Sequence, residues 1–479
     1  MRRLGGLDSG FLNMELPNQP TNTMALGVLR PAMGADGSPD LITLDYVREH
    51  MARRLGELPS FRWRVEPVPG KIHHPVYIED PDFDLDYHLH ETTVDAPGGR
   101  DEVDALFAGL AEHRLDRRHP LWQIWLVHGL ADGRQAVIVK VNHCMMDGVG
   151  ALTTFSRIFS GTDHVVARPP EAWHPEPVPG ATRLVLDALG DHARSLGRLV
   201  AIARKTRRNL KALKAYEATA PIRVPKPTKD TSPCSFNDAF TARRAYSRTE
   251  LALADVRLVK DAAGVTINDV ALATVAGAAR GYLLARHDLP DRPLTVSIPI
   301  GFDPDDDPTR QFGNRFASMT STLATDIADP WERLQVISRV TAESRRAVDV
   351  LGPELMPDWL EFFPPFVAER AMRSHNRSRR QHRETADVNI LVSNLRGPTE
   401  RWHFGTAEVE GLNLSGPPTN GVGSNVMLWS YADHLILANL SFADSLEAPH
   451  ELSDRFHDAL AELVDLARAH VASAAGASA

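Results

Sequence analysis

A histidine followed by an Asp-Gly pair is the strongest candidate for chemistry in this sequence. His143 follows the β-branched apolar run 136–141 and Asn142. Asp147 and Gly148 open a segment with helical apolar spacing. This pattern predicts a strand, a short loop and a helix, at an edge of an open α/β sheet where reactive groups commonly lie. A neutral imidazole there could remove a proton from a substrate hydroxyl.

The spacing His-x-x-x-Asp is not specific by itself in a chain with 20 histidines and 62 acidic residues. It occurs at His128/Asp132, His143/Asp147, His287/Asp291 and His450/Asp454. The Asp-Gly pair after His128 lies between two strand-like runs, which predicts a hairpin turn and an ordinary hairpin histidine. The pair after His143 joins a strand to a helix and leaves His143 free to face a cleft. A histidine hydrogen-bonded within the core is the alternative.

The stretch NHCMMDG resembles the HHxxxDG signature of the bacterial wax ester synthase/acyl-CoA:diacylglycerol acyltransferase family. Other matching stretches follow in the family's order: LDSGFLNMELP, HPLWQIW, FNDAFTARRAY, TINDVALA and SNLRGP. Together they span nearly the whole chain. The resemblance implies an α/β fold of two pseudo-symmetric CoA-dependent acyltransferase-like domains, each a mixed sheet with helices.

The resemblance also implies roles for the residues of this stretch. His143 is the general base, Asp147 turns away to pair with an arginine, and Gly148 leaves space near the reaction centre. Asn142, a third structural support, stands where the family usually has a histidine, and Arg396 stands where it has a proline. Because neighbouring strand residues face opposite sides, only one of residues 142 and 143 can face the acyl donor.

Six further residues are predicted to contact or position substrates. They are Glu15, Trp122, Asn268, Asp269, Arg243 and Arg244. The first two are carried over from the resemblance without assigned chemistry. Asn268 could donate to a developing oxyanion or position the substrate, or it could cap a helix. The arginine pair and the Arg-rich stretch 370–383 could bind the phosphates of coenzyme A, or form a solvated charged face.

Composition limits the remaining classes of function. With 479 residues the expectation is two or more domains, and a net charge of −9 argues against nucleic acid as the main partner. Cys144 and Cys234 form neither a disulfide framework nor a metal pattern, and they fit a reducing cytoplasm. G-x-S-x-G and H-E-x-x-H motifs are absent, so neither a serine hydrolase nor a metal site is expected.

Proline-rich segments suggest how the chain is divided. Residues 1–180 are predicted to form the N-terminal half, residues 181–230 a basic linker, and residues 231–479 the C-terminal half. Helices are expected near 41–55 and 101–115. The C-terminal half is expected to contain the strands LTVSIPI, FASMTSTL, DVNILVS, NVMLWSY and HLILANLSF. The segment 181–217 has helical spacing and an excess of basic residues. It predicts a solvated linker helix, or a surface for anionic lipid head groups.

If its substrates are lipids, this protein is expected to meet the membrane from one side. The sequence has no charge-free apolar run of the roughly 20 residues that span a bilayer, and its N-terminus lacks the apolar stretch of a signal peptide. The resemblance implies a cytoplasmic, peripherally membrane-associated or lipid-droplet-associated enzyme. It also implies a long-chain acyl-CoA co-substrate, a diacylglycerol or fatty alcohol acceptor, and no separate cofactor. A carrier-protein-dependent acyltransferase or condensation-type enzyme and a catalytically silent lipid-binding homologue are the alternatives.

Overall fold

The strands pair into sheets in both halves of the chain. The computed structural model describes residues 1–159, 174–237, 241–302, 309–381 and 386–477. In chain order the strands are β1 (Arg2–Arg3), β2 (Asn22–Arg30), β3 (Ala32–Met33), β4 (Pro39–Asp40), β5 (Trp63–Glu66), β6 (Val76–Glu79), β7 (Leu89–Thr93), β8 (Trp122–His128), β9 (Gln135–Asn142), β10 (Arg244–Ala252), β11 (Thr295–Gly301), β12 (Phe316–Thr322), β13 (Ile390–Leu395), β14 (His403–Phe404), β15 (Ala407–Ser415), β16 (Ser424–Tyr431) and β17 (His434–Phe442).

Helices cover the strands in both halves of the chain. They are α1 (Gly6–Met14), α2 (Leu44–Arg54), α3 (Arg100–Ala111), α4 (Gly148–Ile158), α5 (Ala181–Thr219), α6 (Leu253–Ala263), α7 (Ile267–Leu284), α8 (Pro330–Leu351), α9 (Leu355–Leu360), α10 (Pro365–Gln381) and α11 (Pro449–Ala477). The helices predicted near 41–55 and 101–115 are confirmed as α2 and α3.

The first six-stranded sheet has the spatial order β14-β15-β2-β9-β8-β7. Strand β7 runs parallel to β8, while β8, β9, β2 and β15 pair antiparallel, so the sheet is mixed. The predicted hairpin between β8 and β9 is confirmed, with Asp132 and Gly133 at positive φ. Every residue of β9 is buried, because side chains on both faces of the sheet pack against other elements.

The second six-stranded sheet has the order β10-β17-β16-β13-β11-β12. Strand β13 is parallel to both β11 and β16, and the other pairs are antiparallel. The apolar faces of α6, α7 and α11 complete its core. The predicted fold class of two α/β halves, each with a mixed sheet, is therefore confirmed.

One strand of the first sheet comes from late in the chain. β15 pairs antiparallel with β2, from Glu408 opposite Arg30 to Ser415 opposite Met24. β14 continues that sheet outside β15. A division of the chain at residues 180 and 231 therefore does not separate the two sheets, because a segment of the predicted C-terminal half completes the N-terminal one.

The predicted basic linker is the 39-residue helix α5. One face of α5 carries the buried residues Leu184, Ala188 and Ile202. Near its C-terminal part, Lys205 pairs with Glu354 at 2.7 Å and ties the helix to the segment that begins α9. The proline-rich segment before α5 has no helix or strand over residues 174–180, and residues 168–173 lie outside the described part.

Candidate active site

His143 lies directly after β9, in the short loop that leads to α4. It borders a cavity of about 290 Å³ between the two sheets. Both halves supply the lining, which includes Phe11, Met14, His143, Phe316, Leu395 and Pro417. Apolar surface dominates this lining, so the cavity fits an apolar chain better than a polar solute.

Two ring contacts and one backbone hydrogen bond hold His143 in place. It stacks on Phe11 with ring centres 3.9 Å apart and planes 9° apart. Its Nδ1 lies 3.1 Å from Oδ1 of Asn314, and its backbone N–H donates to the carbonyl of Thr21 at 2.8 Å. Burial lowers the pKa of His143 below its ordinary value. The imidazole is therefore neutral at neutral pH, which is the form that can accept a proton.

Asp147 does not contact the His143 ring. Both of its carboxylate oxygens accept from Nη2 of Arg310, at 2.9 and 2.8 Å. The same carboxylate accepts from the backbone N–H of Gly150 at 3.1 Å, which caps α4, and from that of Arg315 at 2.8 Å. Asp147 thus fastens the start of α4 to the loop before β12, across the two halves.

Gly148 allows a close approach between the two halves. A Cβ atom at this position would lie 2.5 Å from both methyl carbons of Leu395. Leu395 ends β13 and lines the cavity. A larger residue at 148 would push Leu395 toward the space in which a substrate must fit.

Asn142 faces away from the cavity, into the first half. It is buried, and its Nδ2 donates to Glu15 Oε1 at 3.1 Å and to Thr21 Oγ1 at 3.2 Å. Its Oδ1 accepts from the backbone N–H of Cys144 at 3.0 Å. Glu15 is itself paired with Arg117 at 2.8 Å. Glu15 thus supports the loop through Asn142 and is not among the residues lining the cavity, in contrast to its prediction as a substrate contact.

Trp122 also takes a different place from the predicted substrate contact. Its side chain is fully buried in the first half. Its Nε1–H donates to the carbonyl of Phe61 at 2.7 Å, and its ring stacks on His88 with centres 4.2 Å apart. These contacts satisfy both the polar and the apolar part of the indole, so Trp122 packs the core and does not border the cavity.

Asn268 and Asp269 lie in the first turn of α7, and of these two Asn268 contacts a residue that lines the cavity. Thr266 is the N-cap, and Asp269 accepts from its backbone N–H at 2.9 Å in a capping box. The helix-capping interpretation of Asn268 is therefore wrong, and Asp269 is a capping residue and not a substrate contact. Asn268 Oδ1 accepts from Nδ2 of Asn394 at 3.1 Å. Asn394 is the member of this pair that lines the cavity.

The predicted phosphate-binding arginines lie outside the cavity. Arg244 is buried, with its guanidinium 4.3 Å from the ring centre of Phe442 and donating to the carbonyl of Asn18 at 3.0 Å. Burial lowers the pKa of Arg244 to about 10, so it stays charged and acts as a structural cation. Arg243 is largely exposed and 3.6 Å from Asp444. Within the stretch 370–383, residues 382 and 383 lie outside the described part.

Three residues that are important for the geometry around His143 were not predicted from the sequence. Arg310 and Asn314 lie far along the chain from the residues they contact, and no spacing pattern pairs them with Asp147 or His143. Phe11 belongs to the stretch LDSGFLNME, in which the resemblance drew attention to Glu15 instead. Apolar periodicity in that stretch predicts a buried face but not a ring stacked on the base.

Comparison with protein families gives two matches that together cover most of the chain. Residues 4–271 match the wax ester synthase/diacylglycerol acyltransferase catalytic domain. Residues 312–464 match the WS/DGAT C-terminal domain. The first match contains His143 and the second contains Asn314, so the cavity lies where the two matched regions meet.

Similar proteins cover nearly the full length of this chain. A Mycobacterium tuberculosis protein, described provisionally as a diacylglycerol O-acyltransferase, is 34% identical over 98% of this chain and 96% of its own. The solved wax ester synthase/diacylglycerol acyltransferase of Marinobacter aquaeolei is 23% identical, with a TM-score of 0.67 over 98% of this chain and 100% of its own. A starter condensation domain of rhizomide synthetase shares the fold, with 13% identity and a TM-score of 0.52 over 97% and 94% of the two chains.

Proposed function

The chain belongs to the wax ester synthase/diacylglycerol acyltransferase family and is an O-acyltransferase of that family, and we propose that it converts diacylglycerol to triacylglycerol. The proposed donor is a long-chain acyl-CoA, and a long-chain fatty alcohol is the second acceptor, giving a wax ester. The observation that carries the proposal is the neutral imidazole of His143 at an apolar cavity between the two halves.

In the proposed reaction His143 acts as a general base. Its imidazole removes the hydroxyl proton of the acceptor while the hydroxyl oxygen attacks the thioester carbonyl of the acyl-CoA. When the tetrahedral intermediate collapses, the C–S bond breaks and the imidazolium returns the proton to the departing thiolate. An ester and free coenzyme A are the products, so the reaction needs no cofactor beyond the acyl-CoA co-substrate.

The surroundings of Cys144 support direct transfer without an acyl-enzyme. Cys144 is fully buried, and its Sγ lies 3.7 Å from the hydroxyl of Tyr77. Burial raises the pKa of the Cys144 thiol well above its usual range. A thiol that stays protonated and has no access to the cavity is a poor nucleophile.

The placement of Asn142 supports an active enzyme over a catalytically silent homologue. The family's first histidine is replaced here, yet Asn142 is buried behind the loop and does not line the cavity. The replacement therefore leaves His143 and its approach from the cavity intact. Asn394, held by Asn268, is the polar side chain that we propose positions the reacting carbonyl.

The substrate assignment predicts a strong dependence on acyl length. Each buried CH₂ contributes about 0.8 kcal/mol, so long acyl-CoAs should have a much higher kcat/KM than short ones. The measurement is release of free coenzyme A from acyl-CoAs of graded length, with diacylglycerol, a fatty alcohol or a small amine as acceptor. Turnover without any carrier protein is expected. Preference for short donors or for the amine would contradict the neutral-lipid assignment.

Peripheral contact with a lipid surface is the second part of the proposal. Among the described residues no single helix is long and apolar enough to cross a membrane, while α6 and α7 meet that test only as a pair bent by 105°. The face of α5 opposite its buried side has Leu186, Leu189, Leu196 and Val200, each more than half exposed. Further along the same face lie exposed Arg and Lys residues from 204 to 214. An apolar and basic face fits an anionic lipid surface.

Charge reversal on α5 should weaken binding to anionic vesicles. Replacing Arg204, Arg207, Lys211 and Lys214 by glutamate removes four contacts, each worth about 1 kcal/mol near such a surface. Co-sedimentation with vesicles of phosphatidylglycerol and phosphatidylcholine measures the loss. The matched control reverses four exposed arginines outside α5: Arg114, Arg257, Arg292 and Arg468. Equal losses in both variants, or binding that ignores ionic strength, would contradict a specific role for α5.

A further inference from the structure

A buried carboxylate and amide pair lies behind the His143 ring. Asp8 belongs to α1 in the first half, and Asn314 lies in the loop before β12 in the second half. Asp8 Oδ1 accepts from the backbone N–H of Asn314 at 2.7 Å and from its Nδ2 at 2.8 Å. Both residues are only 8% exposed, so water does not substitute for these hydrogen bonds.

The surroundings of Asn314 fix which way its amide points. Its Nδ2 faces two groups that only accept hydrogen bonds at neutral pH, the Asp8 carboxylate and the carbonyl oxygen of His143, each at 2.8 Å. Burial raises the pKa of Asp8 to about 6, so its carboxylate is still ionised above that pH. A flipped amide would place its oxygen against both acceptors. Oδ1 of Asn314 must therefore face Nδ1 of His143.

The fixed amide determines which ring nitrogen carries the proton. Nδ1 of His143 faces the acceptor Oδ1 of Asn314 at 3.1 Å. We propose that Asn314, oriented by Asp8, is a positioning residue that holds the neutral ring of His143 in the Nδ1–H tautomer, leaving the lone pair of Nε2 to act as the base.

This inference rests on the proposed function for its role in turnover, but the tautomer can be measured without turnover. Long-range ¹⁵N–¹H correlation spectra of the full chain, labelled with ¹⁵N-histidine, distinguish the two tautomers. The His143 signals are identified as those absent from His143→Ala. The expected result is a single Nδ1–H form in the wild-type chain. A proton on Nε2, or an equal mixture of the tautomers, would overturn the inference.

Substitutions of Asn314 test its role in turnover. Asn314→Leu keeps the volume but removes the acceptor, and kcat should fall about 10- to 100-fold, as when a group that orients a functional imidazole is lost. KM should change little. Asn314→Asp places a carboxyl against the Asp8 carboxylate, and because two carboxylates this close cannot both ionise, the pair shares one proton. That proton takes the place of the Nδ2 donor, and the other oxygen accepts from Nδ1 of His143. This variant should recover part of the kcat that Asn314→Leu loses.

A purely structural role would give a different pattern. The matched control is Asn237→Leu, which removes a buried amide that donates to the carbonyls of Val388 and Gly421, away from His143. This control should lower the melting temperature without changing the His143 tautomer. Wild-type kcat in Asn314→Leu, or a kcat in Asn314→Asp no higher than in Asn314→Leu, would overturn the inference. A wild-type Nδ1–H tautomer without acyl transfer would support the inference and refute the proposed function.

Discussion

Replacing His143 by alanine is expected to lower kcat by about 10²- to 10⁴-fold, the usual contribution of a general base. The variant should still fold, because the ring borders an existing cavity and its backbone N–H keeps its bond to Thr21. Release of free coenzyme A measures turnover, and circular dichroism with a melting curve measures folding. A His143→Ala variant with wild-type kcat would show that the base lies elsewhere.

A second histidine in this chain provides a matched control for that substitution. His128 has the same spacing to an Asp-Gly pair, but it ends β8, 2.7 Å from Glu91. His128→Ala should therefore keep wild-type turnover. The pH profile gives a further check on the wild-type enzyme. Because burial lowers the pKa of His143, the acid limb of kcat/KM should have its midpoint below the ordinary value of about 6.5.

Replacing Asp147 by alanine should have its main effect on stability. The substitution leaves Arg310 buried without its anion, which typically costs about 3 to 5 kcal/mol of unfolding free energy. The two side chains are only 8% and 6% exposed, so solvent screening does little to reduce the cost. Urea denaturation followed by tryptophan fluorescence measures the difference. Unchanged stability with a selective loss of turnover would make Asp147 a catalytic residue.

The partner of Asp147 provides the control for this second prediction. Removing both charges, as in Asp147→Leu combined with Arg310→Met, leaves no uncompensated ion in the core. Because paired charges can often be replaced by apolar groups at little cost, the double variant should be more stable than Asp147→Ala alone. Measuring the single variants Asp147→Leu and Arg310→Met as well completes a double-mutant cycle, which gives the coupling energy of the pair. Equal destabilisation of the double variant and Asp147→Ala would show that the ion pair is not the cause.

Local patterns in the sequence predicted the elements near His143 well. The run 136–141 became β9, the Asp-Gly pair at 132 became its hairpin turn, and the segment after Gly148 became α4. Each of these depends on neighbouring residues and on a period of 2 or 3.6. The five predicted strands of the C-terminal half are also present, as β11, β12, β13, β16 and β17.

Those local patterns could not predict contacts between residues that lie far apart in the chain. The ion pair of Asp147 with Arg310 joins residues 163 positions apart, and Asn314 reaches His143 across 171. The polar residues Glu15 and Asp269 stood out in matching motifs, but burial gave them structural partners. A motif shows that a residue is needed, whereas the folded contacts decide whether it meets a substrate or a neighbouring loop.

The pairing of β15 with β2 has a consequence for biosynthesis. At a translation rate of about 5 to 20 residues per second, the roughly 380 residues between these strands take about 20 to 80 seconds to emerge from the ribosome. Once β9 has emerged, it can pair with one edge of β2, but the other edge of β2 stays open until β15 emerges. Open edges invite pairing with other chains. Truncated products that end before Ala407 should therefore aggregate, and the full-length nascent chain should depend on a chaperone that covers this edge.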